Sequence, residues 1–124
     1  NHLITTPNIH ITCLVLDKNT FFKTLNSIDI YLQTSLWEGL PIAVLEAMAL
    51  QKPVIATNII GNKDIVVPNK TGFLFNEINE LESYFNALKD PKTRTVFGEN
   101  ALTRCKDLFD KNKNFKQLFD LYQE

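Results

Sequence analysis

The sequence predicts an α/β fold: a parallel sheet of about four strands, helices on both faces and a helical C-terminal tail. Three observations carry the prediction. Short apolar, β-branched runs alternate with stretches whose apolar residues recur at helical spacing. Each such run is apolar nearly throughout, as in strands covered on both faces. After residue 78 only helical periodicity remains.

The elements follow in order. Thr5-Thr6-Pro7-Asn8 is a turn or linker signal. Ile9 to Leu16 (Ile-His-Ile-Thr-Cys-Leu-Val-Leu) reads as the first strand, broken by Asp17-Lys18-Asn19-Thr20. Phe21, Phe22, Leu25 and Ile28 then form one helical face, with Thr20 or Asn19 as cap. Residues 29–34 read as the second strand. The central helix runs from Pro41 to Leu50, with proline in its first turn, where a missing N–H costs nothing. Pro53 to Thr57 is the third strand, Asn58 to Gly61 a loop, and Lys63 to Val67 a single helical turn. Thr71 to Phe75, after the turn Pro68-Asn69-Lys70, is the fourth strand. Asn79 and Glu82 have the spacing of a capping box for a helix presenting Leu81, Tyr84, Phe85 and Leu88. Asp90-Pro91 opens the next helix, whose inner face carries Phe97, Ala101, Cys105 and Leu108. Phe115, Leu118, Phe119 and Tyr122 mark a last helix.

Bulk properties narrow the function. The 124 residues suffice for one small domain, spanning 1–124. Thirteen basic and fourteen acidic residues leave a formal charge of −1, which supplies no field for nucleic acid. Cys13 and Cys105 have no metal-ligand spacing and read as a reduced, buried pair in a cytoplasmic protein. No apolar run reaches the roughly 18 residues of a membrane span, and no signal peptide is visible. Lys106, Lys111, Lys113 and Lys116, interleaved with Asp107 and Asp110, read as a solvated face, with a peripheral contact at the inner membrane face as the alternative. The chain opens Asn1-His2-Leu3 and its one methionine is Met48, so it reads as a piece of a longer protein. His2 and His10 lie far from each other and from the candidate site.

The polar chemistry concentrates between Ser35 and Ala49. Glu38 precedes the central helix and Glu46 lies within it, with the turn Gly39-Leu40-Pro41 between. Helical side chains lean toward the N-terminus, so the Glu46 carboxylate leans toward the loop of Glu38. A carboxylate there accepts two hydroxyl hydrogens, as from a ribose diol, and Glu38, the candidate catalytic residue, offers the same to a sugar hydroxyl or stabilises developing positive charge. The N–H groups of Gly39, Leu40 and Ile42 open toward the crevice and, with the helix dipole, favour a phosphate. Phosphate, ribose and sugar together describe a nucleotide sugar. Two glutamates at arbitrary spacing are usually a surface residue and a helix former. Here Glu46 is flanked by Ile42-Ala43-Val44-Leu45 and Ala47-Met48-Ala49, and a charge in so apolar a helix needs a partner.

Residues 29–75 resemble the family 4 (group 1) glycosyltransferases, in which two Rossmann-like domains face each other across a cleft. The resemblance rests on Asp29-Ile30-Tyr31-Leu32, Ser35, Glu38-Gly39-Leu40-Pro41 and Glu46-Ala47-Met48-Ala49. It continues through Lys52-Pro53-Val54-Ile55-Ala56-Thr57, Gly61, Asp64-Ile65-Val66 and Thr71-Gly72-Phe73-Leu74. The pair of glutamates with Glu-Ala-Met-Ala is specific, and the later helices follow the family's C-terminal domain in order. The resemblance implies a partial Rossmann-like sheet and a retaining transfer from a nucleoside-diphosphate sugar, with no metal or other cofactor. Glu46 would hold the donor ribose and Glu38 would contact the sugar. The turn from Gly39 through Leu40 and Pro41 to Ile42, with Ser35 beside it, would meet the diphosphate or sugar. Leu16 and Asp17 would lie near the base.

Two departures stand out. Gln51 occupies a position where the family usually has glycine, a helix end that wants φ above zero, at a cost of about 1 kcal/mol. By the same resemblance, the two strand–helix units that precede the strand at Ile9 in the family, with their Arg/Lys diphosphate clamp, and the acceptor-binding N-terminal domain are expected to lie outside this sequence. The isolated chain is therefore expected not to turn over. Its Ile9–Leu16 strand would pair directly beside Tyr31 or exchange between two chains. The parent would act in polysaccharide or glycolipid assembly. The competing readings are a nucleotide-sugar epimerase of the same architecture and a non-catalytic interaction domain.

Overall fold

The structure, a computed structural model, describes residues 17–111. In chain order it runs α1 (Lys18–Ser27), β1 (Tyr31–Gln33), α2 (Ile42–Ala49), β2 (Val54–Thr57) and the short α3 (Asn62–Ile65). It continues with β3 (Gly72–Phe75), a 3-10 turn (Ile78–Glu80), α4 (Leu81–Ala87) and α5 (Pro91–Lys111). The strands form one parallel sheet in the order β1-β2-β3, with Tyr31 opposite Val54 and Gln33 opposite Ala56, and Thr57 opposite Phe75. Among the described residues the sheet therefore has three strands rather than four. The Ile9–Leu16 strand lies outside them, as do Leu16, Cys13, both histidines and the Phe115–Tyr122 helix.

All four residues of β2 are buried, which is why this strand is apolar without alternation. Successive side chains point to opposite faces. Val54 and Ala56 join a cluster with Leu25 of α1, Val44, Leu45, Ala47 and Met48 of α2, and Ala101 and Cys105 of α5. Ile55 joins Phe73, Phe75 and Leu88 on the other face, where Leu81, Tyr84 and Phe85 cover them. Phe73 stacks on Tyr84 with ring centroids 4.4 Å apart. Helices thus cover both faces, as expected.

Several helix ends differ from the sequence reading. Asp17, rather than Asn19 or Thr20, caps α1, its Oδ1 accepting the Thr20 N–H at 2.7 Å. Aspartate outranks threonine as a cap, and it stands three residues before a free donor. The capping box of Asn79 and Glu82 does not form, because the 3-10 turn moves the start of α4 to Leu81. Glu80 instead accepts from the Asn76 N–H and the Tyr84 hydroxyl, each at 3.3 Å. Pro41 sits at the N-cap of α2, one position before the first turn. At α5 the expectation holds: Asp90 accepts the Lys92 N–H at 3.1 Å and the Thr93 hydroxyl at 3.2 Å.

The end of α2 meets the departure noted above. Gln51 adopts φ +62°. Its N–H donates to Met48 O at 3.0 Å and the Lys52 N–H to Ala47 O at 2.9 Å, the paired bonds of a left-handed helix cap. Glutamine here takes a conformation that favours glycine.

Candidate functional site

The site is assembled where β1 and β2 end, at the carboxyl edge of the sheet, the usual ligand crevice of open α/β sheets. Two loops wall a cleft of about 540 Å³: Leu36, Trp37, Glu38 and Gly39 on one side, and Asn58, Ile59 and Ile60 with Lys63 on the other. Leu36 is 91 % exposed, Trp37 83 % and Ile60 80 %, so apolar surface rims the cleft.

Buried polar contacts fix the two loops to one another. The Thr57 hydroxyl donates to Ser35 O at 2.6 Å. The Asn62 amide donates to Thr57 O at 3.0 Å and to Thr57 Oγ1 at 3.1 Å. Asn62 is fully buried, and its Oδ1 has no hydrogen-bond partner among the described residues. Gly61 closes the contact. Its φ is +98°, and a Cβ there would lie 2.8 Å from Glu38 O and 2.9 Å from Gly39 O. Only glycine allows both the turn and the approach.

The Glu38 carboxylate accepts from Gln33 Nε2 at 2.7 Å. The same nitrogen donates to Ser35 Oγ at 2.9 Å, and the Tyr31 hydroxyl donates to Gln33 Oε1 at 2.6 Å. Burial pushes the Tyr31 phenol up, and the charges of Glu38 and Glu46 add to it. Tyr31 therefore stays protonated and a donor, and it lies within electrostatic reach of both carboxylates. Two carboxylates eight apart in sequence thus act on one phenol.

The anticipated site residues fall into three groups. Glu38 and Gly39 line the cleft. Ser35, Leu40, Pro41, Ile42 and Glu46 do not line it. Leu40 packs on the first core cluster, Pro41 is buried, and Glu46 is 1 % exposed and absent from the cleft wall. The Ile42 N–H, expected to open toward a phosphate, instead donates to Leu40 O at 2.9 Å. Proline at the N-cap, with φ −81° and ψ 81°, bends the chain so that this bond closes. Asp17 is exposed at the N-cap of α1, where the Thr20 N–H and hydroxyl hold its carboxyl below the usual range. Leu16 lies outside the described residues.

Sequence reasoning missed Tyr31, Gln33, Thr57, Asn62, Gly61 and Lys63 as parts of the site. Tyr31 and Gln33 were legible only as strand residues. Their spacing of two, ending one strand beside the glutamate loop, was the available signal. Thr57 closes an apolar strand at the same edge, where a polar residue marks the ligand end.

Comparison with known proteins places these features in a family. The model of "Glycosyl transferases group 1" matches residues 10–104. The Escherichia coli protein "UDP-Gal:alpha-D-GlcNAc-diphosphoundecaprenol alpha-1,3-galactosyltransferase" is 34% identical over 108 residues, covering 85% of this chain and 28% of its own length. The chain thus spans little more than a quarter of that relative. Among solved structures, an S. aureus TarM variant in complex with Fondaparinux, alpha-GlcNAc-glycerol and UDP superposes with a TM-score of 0.73. It shares 23% identity, over 86% of this chain and 22% of TarM. The C-terminal domain of the group 1 glycosyl transferase LpcC from Francisella tularensis gives 0.68 at 24% identity, over 79% of this chain and 52% of that one.

Proposed function

This chain belongs to the group 1 glycosyl transferase family, and from that premise we propose that it is the donor-binding C-terminal domain of a retaining glycosyltransferase. The parent moves a sugar from a nucleoside diphosphate to an acceptor in polysaccharide or glycolipid assembly, on the cytoplasmic side of the membrane. One observation carries the reading: Glu38 lines the cleft just before α2, Glu46 lies buried within α2, and the charges of both bear on Tyr31. The E. coli relative, whose name specifies UDP-Gal and a diphospholipid-linked sugar, supports the donor and acceptor classes.

Glu46 takes the ribose diol and Glu38 a hydroxyl of the transferred sugar. Because Glu46 is 1 % exposed, donor binding has to uncover its carboxylate. Gly39 faces the diphosphate, with the partial positive charge of the nearby end of α2 favouring it. In this reading the transfer requires no divalent cation, and activity survives a chelator. A retaining transfer forms the new glycosidic bond on the face of the anomeric carbon that the diphosphate leaves. The acceptor hydroxyl must therefore approach from that side, and an acceptor-binding domain supplies the opposite wall of the cleft. The 124-residue chain by itself does not turn over.

The test is sugar transfer by the protein that carries this chain together with its acceptor-binding domain. Glu38→Ala is expected to lower kcat by about 100-fold, the scale of losing one preorganised electrostatic contact. The product should keep the anomeric configuration of the donor by NMR. An inverted product, or full activity without Glu38, rejects the assignment.

A further inference from the structure

Tyr31 and Gln33 are two residues apart on β1 and so share one face of the sheet. Gln33 ends that strand immediately before the loop that carries Glu38. Its amide is fully engaged: Oε1 accepts from the Tyr31 hydroxyl, while Nε2 donates to Glu38 Oε2 and Ser35 Oγ. Only one orientation of the amide satisfies these partners. An ionised carboxylate accepts and never donates, so the NH2 group must face Glu38. The carbonyl must then face the phenol, whose burial beside two carboxylates keeps it a donor. Among the described residues this is the one hydrogen bond that the Glu38 carboxylate makes, and it uses Oε2.

We propose that Gln33 is a positioning residue for sugar transfer, fixing the Glu38 carboxylate at the donor sugar while Tyr31 locks the amide. The inference rests on the role of Glu38 proposed above. A carboxylate on an exposed loop samples many rotamers, and a long side chain loses much freedom when it is held. An amide anchored in the sheet holds one oxygen before substrate arrives and leaves Oε1 for a sugar hydroxyl. That is the preorganisation on which electrostatic catalysis depends. The same amide also holds Ser35, whose Oγ accepts from Nε2.

The experiment is a double-mutant cycle on transfer by the whole protein, with kcat and donor KM measured separately. Gln33→Leu is expected to lower kcat roughly tenfold, the scale of one charge-assisted hydrogen bond, with donor KM changed by less than about twofold. Tyr31→Phe, which keeps the ring and its packing, should lower kcat by about threefold and add nothing in the Gln33→Leu background. In a Glu38→Ala background, Gln33→Leu should have no further effect. An equal loss from Gln33→Leu with and without Glu38 assigns Gln33 to general stability and overturns the proposal. So does unchanged kcat in both Gln33→Leu and Tyr31→Phe while Glu38→Ala is impaired, and that result leaves the role of Glu38 intact. If Glu38→Ala is itself neutral, the reading of the site fails and this inference falls with it. Should Gln33→Leu fail to fold, Tyr31→Phe decides the matter alone.

Discussion

Gln51 shows how one side chain departs from what its backbone asks for. Its φ of +62° suits glycine, yet the two bonds that close the end of α2 form around a glutamine. Gln51→Gly should therefore stabilise the fold by about 1 kcal/mol, less what the freer unfolded glycine gives back, read as a rise in the thermal midpoint. This strain was legible in the sequence because the turn chemistry of a helix end depends on local residues. Cys105 behaves differently. It is buried among Leu45, Ala101 and their neighbours, and burial pushes its thiol from 9.0 up to about 11. The folded chain then holds a proton that the unfolded chain releases above pH 9. Stability should fall as pH rises from about 9 to about 11, with a slope approaching one proton, and that component should vanish in Cys105→Ala. At pH 8 the thiol should resist a thiol reagent until the chain unfolds, with Cys13→Ser isolating the signal. Its burial followed from a helical apolar face; its distance from the site did not, since no local pattern records what a helix packs against.

Elements meet here through close backbone contacts and a few buried polar bonds. Helix α5 lies against the end of α2 at Gly98, where a Cβ would run into the Gln51 carbonyl oxygen. Gly98→Ala should force the helices apart and cost on the order of 1–3 kcal/mol in denaturant unfolding. Thr57 ties the ends of β1 and β2 through Ser35 O and the Asn62 amide. Thr57→Val keeps the shape but strands buried polar groups, so it should cost about 1–3 kcal/mol by the same measurement. The strands, α2 and the Asp90 cap were legible because each depends on apolar period or on a residue at a fixed offset. The start of α4 was not, because Glu80 gains bonds to Asn76 and Tyr84 that sequence spacing alone does not rank above a capping box. The same limit hid the polar contacts of Thr57 with Asn62, which join a strand end to a separate helix.

At the scale of the molecule, the described residues form a three-stranded parallel sheet covered on both faces, with the cleft at its carboxyl edge, in a chain of the group 1 glycosyl transferase family. Spacing pointed to both glutamates, but not to the burial of Glu46 behind the cleft that Glu38 lines. The second wall of the cleft, from Asn58 to Lys63, was not, because a loop reveals its neighbours only when the sheet sets their register. As proposed, this edge binds a nucleoside diphosphate through Glu46. Calorimetric titration of the whole protein with UDP and with GDP, in wild type and Glu46→Ala, tests it most directly. The wild type should bind one of the two nucleotides, and the variant should lose that binding. Equal binding by both proteins, or none by either, would contradict it.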